Sequence, residues 1–217
     1  MSQTIGNGVV AILRGVRPER VVQTAALCYR HGIRAIEVPL NSPDPLRSIG
    51  YLAAADLPGC HMGAGTVLRV ADVDRVRGAG AGFIVTPNVD AAVIRAAVDS
   101  GLAAIPGFAT PTEAFAAIAA GADMLKLFPA ATYGPGHLKA LRAVLPPAVR
   151  VFPVGGVAPA ECSRWLDAGA AGFGFGSELF RPDENEAQLD LRIGTLMQAY
   201  HAACGIPTDS THTLRAE

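Results

Sequence analysis

One unit repeats along the chain: an alanine-rich helical stretch, then a glycine, then a short apolar strand. Glycine just past a helix is the residue expected to adopt the left-handed conformation that ends it. Five glycines mark such joints, and they are Gly32, Gly80, Gly101, Gly121 and Gly169. A chain built from this unit has its strands separated by helices, which is the order required for a parallel sheet.

The repeat predicts eight strands and eight helices. The strands are predicted at residues 9–13, 33–40, 60–63, 82–87, 102–106, 124–129, 149–155 and 172–176. Helices are predicted at residues 18–31, 45–55, 70–79, 90–100, 111–120, 136–145 and 159–168, with a last helix at 186–203.

Most of these strands are apolar throughout, which is typical of a parallel sheet covered on both faces. Eight strand–helix units in 217 residues predict a single-domain α/β fold, a (β/α)8 TIM barrel over residues 1–204. A doubly wound open sheet is the alternative, although no G-x-G-x-x-G follows the first strand. Residues 205–217 are polar and are predicted to form a mobile tail.

Composition excludes several classes of function. The net charge is −1 with scattered charges, which argues against nucleic-acid and membrane-surface partners. No apolar run reaches the roughly 18 residues of a spanning helix, and the N-terminus lacks a signal-peptide pattern. The cysteines and histidines are dispersed without metal-ligand spacing, so no metal site is predicted. These features predict a cytoplasmic enzyme or binding protein.

Lys126 lies at the centre of a predicted buried strand. It is one of two lysines among 18 basic residues, so lysine is not a general surface charge in this chain. Strand alternation places it on one face with Met124 and Phe128. Burial favours the neutral amine and lowers its pKa, which produces a nucleophile able to form a Schiff base with a ketone. The alternative is a lysine that extends to solvent or pairs with a buried carboxylate.

Other polar residues lie where a barrel places its chemistry, at the C-terminal ends of strands. They are Arg14, Glu37, Thr66 and Thr86. Glu37 is predicted to face the barrel interior, where a carboxylate needs a cationic partner or a proton-transfer role. A structural ion pair with Lys126 or Arg14 is therefore one interpretation. The other is aldol chemistry, because one lysine nucleophile beside one carboxylate base is the minimum set for it.

Two glycine-rich turns follow the seventh and eighth strands, where barrels often hold phosphate on backbone N–H groups. Gly155 and Gly156 belong to the first turn, and Gly176 and Ser177 to the second. Tight turns would also explain the glycines, and Ser177 suits a helix N-cap. Arg14 and Thr66 remain as donors for a smaller anion such as a carboxylate.

Several stretches together resemble the class I 2-keto-3-deoxy-6-phosphogluconate/6-phosphogalactonate aldolases. They are Ala11-Ile12-Leu13-Arg14-Gly15, Glu37-Val38-Pro39-Leu40-Asn41-Ser42, Gly63-Ala64-Gly65-Thr66-Val67-Leu68, Val85-Thr86-Pro87-Asn88, Lys126-Leu127-Phe128-Pro129, Val154-Gly155-Gly156-Val157 and Gly176-Ser177. They occur in the family's order and spacing over residues 9–180.

The resemblance implies roles for individual residues. Lys126 would form the Schiff base and Glu37 would be the general acid/base, while Thr66 would hold the pyruvate carboxylate. The two glycine turns with Ser177 would form the phosphate site. The resemblance further implies a homotrimer without metal or other cofactor, with pyruvate and glyceraldehyde 3-phosphate as products.

Two positions separate the branches of this family. Phosphogluconate aldolases typically carry arginine where this chain has Asn41 and threonine where it has Val154, so both positions resemble the phosphogalactonate branch. We therefore expect 2-dehydro-3-deoxy-6-phosphogalactonate as substrate, with Arg14 and Thr66 as the carboxylate contacts. The phosphogluconate epimer or 4-hydroxy-2-oxoglutarate is the alternative substrate. A non-catalytic sugar-phosphate binding barrel is the alternative from a different class.

Overall fold

The computed structural model describes residues 8–205, in which short parallel strands alternate with helices. The strands are β1 Val9–Ile12, β2 Ala35–Pro39, β3 His61–Gly65, β4 Phe83–Val85, β5 Ala103–Ile105, β6 Gly107–Phe108, β7 Met124–Leu127, β8 Arg150–Pro153 and β9 Phe173–Phe175. The helices are α1 Pro18–Arg30, α2 Pro45–Ala53, α3 Val70–Gly78, α4 Ala91–Asp99, α5 Pro111–Ala119, α6 Ala130–Arg142, α7 Cys162–Asp167 and α8 Glu186–Cys204.

The glycines predicted to end helices have the expected left-handed conformation. All five joint glycines have positive φ, between 80° at Gly101 and 105° at Gly121. Pro18, Pro45 and Pro111 occupy the first turn of their helices, where the missing N–H costs nothing. The last helix begins with a capping box formed by Asn185 and Gln188. None of the helices within residues 8–205 is both long and apolar enough to cross a membrane.

Three predicted elements differ from the structure. The fifth strand is two short strands, β5 and β6, because Pro106 between them has no N–H to donate. Helix α6 starts at Ala130 instead of residue 136, and is kinked at Gly134, whose φ is 76°. The stretch predicted as a helix at 159–168 is a 3-10 turn, Pro159–Glu161, followed by α7. Residues 206–217 of the predicted tail lie outside the described part.

All strand pairings are parallel, and the strands form a curled α/β sheet. Six strands follow the order β5-β4-β3-β2-β1-β9 and three follow β6-β7-β8. Backbone hydrogen bonds also join the two groups, since Lys126 N–H donates to Pro106 O at 2.9 Å. On the other side Ala171 N–H donates to Val151 O at 2.9 Å, and Val154 forms an isolated bridge with Gly174.

Strand alternation divides the buried residues into two groups, as the sequence predicts. One cluster lies inside the curl of the sheet and consists of Val10, Ala35, Phe83, Val85, Ile105, Met124 and Phe152. The larger cluster packs between sheet and helices, and it contains Ile36, Val38, Leu125 and Leu127. Glu37 and Lys126 therefore project to the inside, between residues of the smaller cluster.

Candidate active site

Glu37 on β2 and Lys126 on β7 point into one narrow cavity inside the curled sheet. Its lining residues are Val10, Ile12, Glu37, Val85, Ile105, Lys126, Phe152, Val154 and Gly174. The two titratable groups are thus surrounded almost entirely by apolar side chains. This is the juxtaposition predicted from strand parity.

The carboxylate of Glu37 is buried, and one of its oxygens has no hydrogen-bond partner. Its side chain is 2% exposed, and its Oε2 atom accepts no hydrogen bond. Burial raises the pKa of Glu37 from 4.5 to about 7, against the opposing charges of Lys126 and Arg14. A carboxyl group with this pKa exchanges its proton near neutral pH, as a general acid/base requires.

Burial shifts the pKa of Lys126 in the opposite direction. It is 6% exposed, and burial lowers the pKa of its ammonium group, opposed by Glu37 and assisted by Arg14. Its Nζ lies 4.5 Å from the centroid of the Phe128 ring, at the outer end of the same strand face. A lowered pKa increases the fraction of neutral, nucleophilic amine.

Glu37 forms no ion pair with either basic side chain in the part of the chain the structure describes. The sequence left open a structural pair with Lys126 or Arg14. The geometry instead places Glu37 and Lys126 on one cavity without an ion pair between them.

Two glycines on β3 make room for this arrangement, and residue-type reasoning did not single them out. A Cβ placed on Gly65 would lie 2.8 Å from Cδ of Glu37. A Cβ on Gly63 would lie 2.5 Å from Cε2 of Phe83. Any side chain at either position would displace the carboxylate or the ring beside it. The signal in the sequence was the Gly63-Ala64-Gly65 alternation inside an apolar strand.

Arg14 and Asn41 are in direct contact at the ends of β1 and β2. Arg14 Nη1 donates to Asn41 Oδ1 at 2.5 Å, and next to it Gly15 N–H donates to Ser42 Oγ at 2.9 Å. The loops after the first two strands are therefore joined by two hydrogen bonds. The sequence analysis assigned Arg14 to the substrate carboxylate and Asn41 to specificity. In the structure a hydrogen bond joins the two side chains.

Thr66 follows β3 in a conformation unusual for its residue type. Its φ is 57°, in the left-handed region that β-branched residues avoid. Such strain persists where surrounding contacts enforce it and is common at binding sites. Thr86, in contrast, is buried and donates its hydroxyl hydrogen bond to Asn88 O, so it holds the turn after β4.

The first glycine turn follows β8 and has consecutive positive φ values, 93° at Gly155 and 74° at Gly156. The Phe128 ring lies 3.1 Å from where a Gly155 Cβ would be, and Ala131 Cβ is 2.8 Å from that of Gly156. Backbone geometry and packing therefore both require glycine here. The amide of Gly156 donates no hydrogen bond within residues 8–205 and is available to an anion.

The second turn follows β9. Gly176 O accepts hydrogen bonds from Leu179 and Phe180 N–H, at 2.9 and 2.8 Å. Ser177 is exposed in this turn and no helix follows it directly, so its interpretation as an N-cap is wrong. A Cβ on Gly176 would meet nothing within 4 Å, whereas the N–H group of this residue donates to Glu178 Oε2 at 3.3 Å.

Val154 also lines the cavity, together with Glu37 and Lys126. Its Cγ2 would lie 2.7 Å from a Cβ on Gly174, so the absent side chain at Gly174 accommodates the valine. The predicted specificity position therefore lies beside the reactive groups, with a methyl group where threonine would present a hydroxyl.

A buried amine with a lowered pKa and a carboxyl group with a pKa of about 7 thus share one apolar cavity, and glycine-rich turns follow β8 and β9. The chain matches the family described as KDPG and KHG aldolase over residues 3–192. The chain belongs to the KDPG and KHG aldolase family.

Individual members of this family are similar over nearly the whole chain. The 2-dehydro-3-deoxy-6-phosphogalactonate aldolase of Escherichia coli (strain K12) is 43% identical over 195 residues, which are 90% of this chain and 95% of that protein. A solved structure described as native KDPGal superposes with a TM-score of 0.91 at 41% identity, covering 94% of this chain and 100% of that one.

A second similar solved structure is that of an oligomeric assembly. A cube-shaped, porous protein cage designed by fusing symmetric oligomeric domains superposes with a TM-score of 0.89 at 41% identity. The match covers 94% of this chain and 74% of the cage chain. Within residues 8–205 no group of three or more metal-ligating side chains comes together.

Proposed function

We propose that this aldolase is a class I enzyme that cleaves 2-dehydro-3-deoxy-6-phosphogalactonate to pyruvate and glyceraldehyde 3-phosphate. The observation that carries the proposal is the shared burial of Lys126 and Glu37 in one cavity without an ion pair between them. Family membership and the 43% identity to the phosphogalactonate aldolase of E. coli support it.

The two residues have complementary tasks in the reaction. Neutral Lys126 attacks the C2 ketone, and loss of water gives the protonated imine. Glu37 then accepts the proton of the C4 hydroxyl, and the C3–C4 bond breaks. The electron pair of the broken C3–C4 bond moves into the protonated imine, which becomes an enamine. The aldehyde leaves, a proton returns to C3, and hydrolysis of the imine releases pyruvate and regenerates Lys126.

Substrate binding uses the residues at the strand ends. We assign the carboxylate to Arg14 and Thr66, since the guanidinium carries a positive charge and influences the pKa of both reactive groups. We assign the phosphate to the amides of Gly155, Gly156, Gly176 and Ser177. The amide of Gly156, which donates no hydrogen bond within residues 8–205, supports this assignment.

The choice of epimer rests on two positions. Val154 in the cavity and Asn41 against Arg14 support the phosphogalactonate substrate, because the gluconate and galactonate compounds differ at the C4 hydroxyl. Cleavage of the phosphogluconate epimer or of 4-hydroxy-2-oxoglutarate remains the alternative within the family.

We also infer a closed (β/α)8 barrel in a single domain over residues 1–204. The hydrogen bonds of Lys126 with Pro106 and of Ala171 with Val151, across both gaps between the strand groups, support closure. A homotrimer follows from the family resemblance, and the similar chain in a cage of symmetric oligomeric domains supports self-association. We also propose a cytoplasmic location.

The deciding experiment traps the imine. The protein is incubated with pyruvate and borohydride, and its intact and peptide masses are measured. One reduced pyruvate adduct is expected on Lys126 and none on Lys139, the exposed second lysine, which serves as an internal control. Lys126→Met should abolish both adduct and turnover with folding retained. Absence of an adduct in the folded protein, or turnover by Lys126→Met, would overturn the class I assignment.

A further inference from the structure

Glu178 lies where the proposed phosphate site needs a free backbone amide. Gly176 N–H donates to Glu178 Oε2 at 3.3 Å, so a carboxylate of the chain itself occupies one of the predicted phosphate donors. The hydrogen bonds of Gly176 O with the amides of Leu179 and Phe180 close the turn and hold Glu178 at this place. The sequence did not single out Glu178.

A bound phosphate and this carboxylate exclude each other. Both are anions, and both are acceptors for the same N–H group, so phosphate binding at Gly176 requires the Glu178 side chain to move. Space for this movement exists, because Glu178 also borders an open groove between the Pro159–Glu161 turn and α8.

Two basic side chains near this turn, those of Arg192 and Arg181, have other partners. Arg192, which borders the same groove, is held by a hydrogen-bonded ion pair with Glu184. Arg181 donates from Nε to Ser177 O at 3.4 Å, so it contacts the backbone of the turn. Glu178 itself forms no ion pair within residues 8–205, which leaves its carboxylate free to leave Gly176 without breaking one.

We propose that Glu178 is a specificity-determining residue that competes with the phosphate of the substrate for the Gly176 amide. In the empty site its carboxylate keeps the amide hydrogen-bonded. A phosphorylated substrate displaces it, whereas an unphosphorylated 2-keto-3-deoxy acid leaves it in place. Glu178 thereby reduces the advantage of phosphorylated over unphosphorylated substrates. This inference rests on the proposed function, specifically on the phosphate site at Gly176.

The test compares kcat/KM for a 2-keto-3-deoxy-6-phospho acid with that for the same acid without phosphate. Glu178→Ala is expected to raise the phosphorylated-to-unphosphorylated ratio about three- to tenfold, the effect of one hydrogen-bond competitor. Glu178→Gln removes the charge but keeps an acceptor, so a smaller increase is expected. Glu161→Ala is the matched control, because it removes an acidic side chain that contacts Arg164 and not Gly176.

Inorganic phosphate provides a readout independent of turnover. In a titration followed by the amide resonance of Gly176, half-saturation should occur at a lower phosphate concentration in Glu178→Ala than in the unaltered protein. An unchanged or lower substrate ratio and an unchanged phosphate affinity in Glu178→Ala would overturn the inference. Lack of turnover by the unaltered protein would instead contradict the proposed function, while the titration would still decide the role of Glu178.

Discussion

The carboxylate of Glu37 lies directly against Gly65 of the neighbouring strand, where a Cβ would approach Glu37 Cδ to 2.8 Å. Glu37 can hold its position only because residue 65 has no side chain. The position of Glu37, the proposed general acid/base, thus depends on the absence of a Cβ atom at residue 65 of β3.

Gly65→Ala should displace the Glu37 carboxylate and lower kcat/KM by about a hundredfold, the usual cost of misplacing a reacting group by about 1 Å. Steady-state kinetics with the keto acid measure this effect. Gly78→Ala is the control, because a Cβ at this helical position meets nothing within 4 Å. Equal kinetics for the two variants would show that Glu37 is not held by Gly65.

The pH dependence of stability should reveal the buried Glu37. Because burial raises its pKa from 4.5 to about 7, the folded protein keeps a proton that the unfolded chain has lost. The contribution of Glu37 to stability is thus complete below about pH 4.5 and is lost as the pH rises through about 7. The shift corresponds to about 3 kcal/mol.

Urea unfolding of the unaltered protein and of Glu37→Gln, which does not titrate, measures this loss. The free energy of unfolding of the unaltered protein should fall relative to that of Glu37→Gln by about 3 kcal/mol between about pH 4 and pH 8. A constant difference across this range would mean that Glu37 titrates normally. For the same reason, kcat/KM should rise with pH through about 7 if Glu37 acts as a base.

Thr66 should influence both the stability of the protein and the binding of the keto acid. Its φ of 57° is strained for a residue with a branched Cβ. Thr66→Gly removes that strain and should be more stable than Thr66→Ala by about 1 kcal/mol. Both variants lose the hydroxyl group and should show a raised KM for the keto acid. Thermal unfolding and kinetics test the two parts, and equal stability of the variants would contradict the strain.

Arg14 and Asn41 should behave as one unit in a double-mutant cycle. Asn41→Ala frees the Arg14 guanidinium and should raise the KM for the keto acid about three- to tenfold, as expected for loss of one hydrogen bond. Adding Arg14→Ala should then cost less than it does alone. Arg17→Ala, an exposed arginine on the same loop, is the control. Additive effects would show that Asn41 does not position Arg14.

Val154→Thr should shift the preference between epimers. The side chain keeps its shape and acquires a hydroxyl group within the cavity that contains Glu37 and Lys126. The ratio of kcat/KM for the phosphogalactonate substrate to that for its phosphogluconate epimer should fall about three- to tenfold, since one polar contact is gained. Val144→Thr on the surface is the control. An unchanged ratio would remove Val154 from the determinants of specificity.

Much of the architecture follows from local signals in the chain. The glycine joints and the prolines at helix starts act over a few residues, and the structure confirms them at Gly101, Gly121 and Pro111. The side of the sheet on which Glu37 and Lys126 lie also follows from strand alternation, a local property. The predicted start of helix α6 is wrong because its first turn depends on a segment distant in the sequence. The N–H groups of Ala130 and Ala131 donate to Val154 O and Gly155 O.

The sequence by itself therefore determined the parallel strand–helix architecture, the inward direction of Lys126 and Glu37, and the glycine turns after the last strands. The tertiary structure alone decided that Gly65 makes room for Glu37, that Asn41 holds Arg14, and that Glu178 occupies the Gly176 amide. The physical reason is the range of the interactions. Backbone conformation and alternation are set by neighbours in the chain, whereas close packing and hydrogen bonds between loops depend on segments that only folding brings together.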